Sequence, residues 1–216
     1  MVKRRVVKKY LVFLMGLFFI ALGIAFAKKS ELGVTPISSV ANVLSCKFTN
    51  LTFGTWMMIW NFFLIMLQIL IQKKNFKRIE LIQIPLAFVF GYFTDFAVWC
   101  ISKIIVDSYI MKLLVVVCGV IIIGFGIALS VLSEAVMNSA EAFVKAVTDK
   151  TRGEFAKIKV TTDIANVAVS ALLSLILFSG NIVGIREGTL IMAIFTGSAI
   201  RGFLSLLKTP VKRFIS

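Results

Sequence analysis

Six apolar runs of about twenty residues each decide what this chain can fold into. They cover residues 10–27, 53–72, 81–102, 113–132, 160–179 and 188–207, with lysines, arginines or short polar turns between them. A helix of that length spans the ~30 Å hydrocarbon core of a bilayer. None of the runs alternates with period two, and backbone in lipid must satisfy its own N–H and C=O groups, so each run is expected to be a helix and not a barrel strand. Composition agrees, since 59% of the 216 residues are hydrophobic and 16% charged, against about 45–50% and about 25% in an ordinary soluble domain. The expected fold is an all-α integral membrane protein whose first partner is the lipid bilayer.

The net charge of +14 invites a nucleic-acid reading, but the cations sit in short clusters at the ends of apolar runs and form no basic domain. Topology explains them better. A basic segment, 1–9, opens the chain and another, 208–216, closes it. With the amino terminus inside, seventeen Lys and Arg fall on cytoplasmic segments and six outside, leaving Arg201 within a run. That asymmetry places both termini in the cytoplasm. No nucleic-acid partner is expected.

The chain has no His, and Cys46, Cys100 and Cys118 lie far apart without metal-ligand spacing. Ser-His-Asp and Cys-His relays are therefore impossible, and no zinc site, disulfide framework, cofactor or enzymatic activity is expected. No GxxxxGK[ST] motif is present, so active transport would draw on an ion gradient or a separate ATPase.

Shifting the chain by 103 positions lays Leu11, Val12, Gly16, Ile20, Gly23, Ile24 and Ala25 on identical residues at Leu114, Val115, Gly119, Ile123, Gly126, Ile127 and Ala128. Nearby shifts align Phe53 with Phe155, Asn61 with Asp163, Gly91 with Gly197 and Asp95 with Arg201. Two halves follow, 10–102 and 112–207. Each holds three spans and, after the first, a short polar segment (33–46 and 135–148) of a length typical of re-entrant or interfacial helices. Three is odd, so the second half must enter the membrane inverted relative to the first, a pattern of secondary transporters that bind solute near the midplane. The repeat also disposes of a signal-peptide reading: Ala25-Phe26-Ala27 mimics a cleavage site, but its counterpart Ala128-Leu129-Ser130 lies deep in the chain. The glycines Gly16 and Gly23, and Gly119 and Gly126, are seven apart and lie on one helix face, as close helix packing requires.

Several motifs are similar to those of the YczE/YyaS/YitT-like bacterial membrane proteins. They are Gly33-Val34-Thr35-Pro36-Ile37-Ser38-Ser39-Val40, Phe53-Gly54-Thr55-Trp56 with Trp60-Asn61, Gln83-Ile84-Pro85, and Phe90-Gly91-Tyr92-Phe93-Thr94-Asp95-Phe96. In the second half the run from Met137 to Ala146 and Val183-Gly184-Ile185-Arg186-Glu187-Gly188-Thr189 resemble the same family. The resemblance implies a multi-pass protein of the bacterial cytoplasmic membrane and supplies no substrate.

Candidate site residues follow from what is costly in lipid. Asp95 lies inside the third run and needs compensation. Arg201 occupies the corresponding place in the sixth run, so an Asp95–Arg201 pair is expected, acting on substrate or gating, or else only in packing, with snorkelling of Arg201 to the interface as the plainest alternative. Thr35, Ser38 and Ser39, with Asn138, Ser139 and Glu141, would bring two helix starts to one centre suited to an anionic group. Equally, they would cap interfacial helices, with Glu141 and Lys145 as a solvated i, i+4 pair. Asn61 and Asp163 complete the set. The Trp residues, Trp60 among them, are expected against lipid or at the membrane interface. The function expected is a small transporter or channel-like protein for an unidentified solute. The alternative is a non-transporting subunit that captures substrate or regulates a partner; a homo-oligomer is compatible with either.

Overall fold

A computed structural model describes residues 2–215, so Met1 and Ser216 of the two basic terminal segments lie outside the described residues. The described chain is helical: α1 (Val2–Ser30), α2 (Ser39–Lys47), α3 (Phe53–Gln72), α4 (Gln83–Ile101), α5 (Tyr109–Ser133), α6 (Ser139–Thr151), α7 (Phe155–Leu177) and α8 (Glu187–Ile215). Short 3-10 turns cover Pro36–Ser38, Lys73–Asn75 and Arg78–Ile82. Six of the helices, α1, α3, α4, α5, α7 and α8, are long and apolar enough to cross a membrane.

Helix ends depart from the apolar runs for physical reasons. The helix of α1 continues outward through the basic segment, and α8 continues to Ile215, because lysine and arginine are good helix formers and need no hydrocarbon around them. Residues 33–35 are not helical; Pro36 starts the first 3-10 turn, a position where its missing N–H costs nothing. The second short helix, α6, begins four residues after the run at 135 and ends at Thr151, with Arg152 left-handed at φ 54°.

The bundle alternates direction. At one end lie the start of α1 and the ends of α5 and α8: Lys9 meets Glu134 at 3.2 Å, and Val12 packs with Val211 and Ile215. At the other end the Lys29 ammonium donates to the Ser102 carbonyl, Lys112 pairs with Glu31, and Gly33 bridges to Ile185. The core sits where α1 crosses α5. A Cβ on Gly16 would stand 2.7 Å from the Gly126 carbonyl oxygen, and one on Gly23 would stand 2.8 Å from that of Gly119. Only glycine lets the two backbones approach so closely. Around this crossing, α4 packs on α1 and on α3, α8 packs on α5, and the short helices cross over, α2 against α7 and α6 against α3. No packed interface joins α7 to α8 among the described residues.

Candidate functional site

The gap between α7 and α8 belongs to a cavity of about 760 Å³. Its walls come from α1 (Ile20, Ile24), α3 (Met57, Trp60, Asn61, Leu64), α4 (Phe90), α5 (Ile123, Ile127, Ser130), α7 (Phe155, Lys159, Asp163) and α8 (Met192, Ala193, Thr196, Gly197). Both short segments reach it with their first residues, Thr35 to Ile37 on one side and Asn138, Ala140 and Glu141 on the other. Most of the wall is hydrocarbon, with polar groups gathered where α6 and α7 begin.

Of the candidates read from sequence, Thr35, Asn61, Asn138, Glu141 and Asp163 line this cavity. Asn138 is the N-cap of α6, its side-chain oxygen accepting the Ser139 N–H at 2.8 Å. The Asn61 amide donates to the Met57 carbonyl at 2.8 Å on its own helix. Asp163 is chelated by the Lys159 ammonium, at 2.8 and 2.9 Å to its two oxygens.

Glu141 differs from these: it has no hydrogen bond or ion pair among the described residues, and the expected Glu141–Lys145 pair is not formed. Lys145 is exposed and lines a second cavity of about 650 Å³ beside the α3–α4 connection. Burial pushes the Glu141 carboxyl above the ordinary carboxylate range, Lys159 pulling it back and Asp163 adding to the rise. An unpaired carboxylate in an apolar chamber has that effect because desolvation penalises the charged form.

Ser38, Ser39 and Ser139 lie behind the wall. The Ser38 hydroxyl donates to the Thr35 carbonyl at 3.0 Å and that of Ser39 to the Pro36 carbonyl at 2.6 Å, while Ser170 donates to Ser39 Oγ at 2.9 Å. These hydroxyls tie the first short segment to itself and to α7. The Ser38 and Ser39 hydroxyls are therefore engaged within the protein.

The expected Asp95–Arg201 pair is also absent among the described residues. Asp95 Oδ1 accepts the Gly54 N–H at 2.7 Å and Oδ2 accepts the Thr52 hydroxyl at 2.6 Å. Thr52 is itself the N-cap of α3, accepting the Thr55 N–H at 3.1 Å. The carboxylate thus caps α3 from the side of α4, where the first N–H groups lack helical partners and the helix dipole favours negative charge. Arg201 is exposed on α8, its guanidinium 3.3 Å from Ser198 Oγ.

Sequence reasoning passed over two further groups. Lys28, counted there as a loop cation, is half-buried: its ammonium donates to Asn42 and Ser45 at 2.9 Å each and stands 4.2 Å over the Phe53 ring. Trp60, expected against lipid or at the membrane interface, forms cavity wall, as do Ser130 and Thr196, and none of the three polar side-chain atoms has a hydrogen-bond partner. Single hydroxyls and an indole inside apolar runs carry no periodic signal that separates cavity from lipid.

A family model described as a family of unknown function (DUF6198) matches residues 7–205. Its description does not carry the YczE/YyaS/YitT-like name that the motifs resemble. No curated protein and no solved structure matches the chain.

Proposed function

The chain belongs to this family of unknown function, and we propose that it is a small transporter or channel-like protein whose solute occupies the 760 Å³ cavity between two inverted halves. One observation carries the reading: a single chamber takes wall residues from every membrane-capable helix and from the starts of both short segments. Soluble-ligand pockets are typically of about this size, about 300–1,000 Å³, and solute sites between inverted repeats lie near the midplane.

The α1–α5 crossing supports the inverted repeat. Gly16 faces Gly126 and Gly23 faces Gly119, and the 103-residue shift turns each pair into the other, as a two-fold axis between the halves would. The crossed packing of α2 on α7 and α6 on α3 obeys the same exchange. Pro36 and Ile37 share their cavity with Ile20 and Ile24, several residues back along α1 from its end, which supports re-entry of the first short segment. The end of the bundle carrying Lys8, Lys9, Lys212 and Arg213 is the basic one, in keeping with cytoplasmic termini in a bacterial cytoplasmic membrane.

The exposed apolar residues of α8, Leu190, Ile194 and Phe195 among them, favour a second reading in which a partner subunit or another copy covers that helix and the protein captures substrate without carrying it across. Thermal-shift screening of the detergent-purified protein, followed by flux into proteoliposomes, separates the two. A solute at 100 times its Kd adds about 2.7 kcal/mol to stability. Ala193→Trp, which fills the chamber, is expected to remove that shift and the flux together. A shift without flux selects the capturing subunit, and a solute shift that survives Ala193→Trp overturns the cavity as its site.

A further inference from the structure

Resting on the cavity reading, the geometry points to a lipophilic organic cation as the solute, held against the Glu141 carboxylate in competition with a proton. Four charged side chains line the chamber, Glu134, Glu141, Lys159 and Asp163. Glu134 is paired with Lys9 at 3.2 Å and Asp163 with Lys159 at 2.8 Å, so two of the three acids are neutralised by the protein itself. Glu141 is not, and one negative charge is left in a hydrocarbon-walled space. Its surroundings offer no internal remedy. The α3 face against α6 belongs to a helix with no charged residue, Lys159 of α7 is chelating Asp163, Glu134 at the end of α5 is itself acidic, and Lys145 of α6 faces the second cavity. A half-buried carboxylate with no partner in such a space favours taking up either a proton or a cation.

The wall decides which cation. Dehydrating a small metal ion takes a cage of oxygen ligands, and no group of three or more His, Cys, Asp or Glu side chains able to hold a metal is present among the described residues. Trp60, Phe90, Ile123 and Met192 instead present aromatic faces and aliphatic surface, which bind the apolar body of a weakly hydrated organic cation and, through the rings, its charge. An anion of the same shape meets the Glu141 carboxylate directly. The positive end of α6 gives it no refuge, because Glu141 lies in its first turn and Asn138 occupies the Ser139 N–H. The exchange balances: the carboxylic acid O–H bond of Glu141 breaks, the proton passes to water, and the incoming cation takes over its charge, so the chamber stays neutral in both states.

Isothermal titration of the full-length protein in detergent with tetraphenylphosphonium and with tetraphenylborate, ions of one shape and opposite charge, tests this. Phosphonium is expected to bind with about one proton released, its affinity rising about tenfold per pH unit until Glu141 is ionised and then levelling off. Glu141→Gln is expected to fold, to bind at least tenfold more weakly and to lose the pH dependence; Glu141→Asp is expected to keep it. Equal or tighter binding of tetraphenylborate overturns the assignment, and so does phosphonium binding that is independent of pH or unchanged in Glu141→Gln. If neither ion binds while another solute still gives a shift removed by Ala193→Trp, the cationic class is wrong and the solute cavity stands. If no solute gives a shift, the cavity reading fails with it.

Discussion

In the first half α4 lies against α3, and in the second α8 stands apart from α7. The glycines mark the difference. A Cβ on Gly91 would stand 2.8 Å from the Gly54 carbonyl oxygen, whereas around Gly197, its counterpart in sequence, nothing lies within 4 Å. The polar contacts differ as well. Asp95 reaches from α4 to the Gly54 N–H and the Thr52 hydroxyl at the start of α3, whereas the residue at the corresponding place on α8 is Arg201, and a cation is repelled by the positive end of a helix. Glu154, the N-cap of α7, makes no side-chain cap bond.

Substitutions sharpen that contrast, and the largest effect is expected at the crossing both halves share. Gly16→Leu places side-chain atoms where the Gly126 carbonyl and the Ser130 N–H already stand at 2.7 and 2.8 Å from a Cβ. Overpacking of backbone by backbone should cost at least about 3 kcal/mol, read as lost folded yield and a lowered Tm in detergent. Asp95→Ala comes next, at about 2 kcal/mol for a lost charged cap, while Arg201→Gln stays within about 0.5 kcal/mol. Equal costs at the two positions would break the comparison.

Glu141→Gln runs the other way. Since burial raises the Glu141 carboxyl, the folded state holds its proton more tightly than the unfolded one, so this group's contribution is greatest at low pH and falls as pH rises through the raised value. The variant should therefore gain about 1 kcal/mol over the wild type at alkaline pH and nothing in acid, visible as converging melting curves below the ordinary carboxylate range. Gly197→Ala is expected to stabilise by roughly 0.5–1 kcal/mol, since the site is open and alanine is the better helix former; a loss would show α8 packed after all. Smallest is Glu31→Gln. Hydrogen bonding and charge from Lys112 hold Glu31 below its ordinary range, so its contribution is present above that range and lost as pH falls, but exposure screens the pair to about 0.5 kcal/mol at most.

The six spans were legible because length and hydropathy act on each helix alone. Contacts between helices were not. Placing Asp95 and Arg201 at corresponding positions suggested a pair, yet correspondence says only that two residues occupy equivalent places, and such residues touch only near the axis relating them. Gly16, Gly23, Gly119 and Gly126 do meet across α1 and α5, and their spacing alone pointed to close packing. Glu141 and Asp163, singled out as charged groups in or beside the runs, line the cavity. Trp60, Ser130 and Thr196 carried no such signal, being as ordinary against lipid as against a cavity. Of the two equal readings of Glu141, the pair with Lys145 is not formed, because i, i+4 spacing permits a pair without requiring it.

The glycine crossing also sets an order of assembly during synthesis. Gly16 and Gly23 leave the ribosome about a hundred residues before their partners, so until α5 is inserted their bared face rests against lipid. The first half can wait, because α4 already contacts both α1 and α3. A second half made alone falls into two pairs with no packed interface between α7 and α8 among the described residues: α7 keeps α6 but loses α2, and α8 keeps α5. A chain divided in the α4–α5 connection should thus yield a first fragment that persists in the membrane and a second that is degraded unless the first is present.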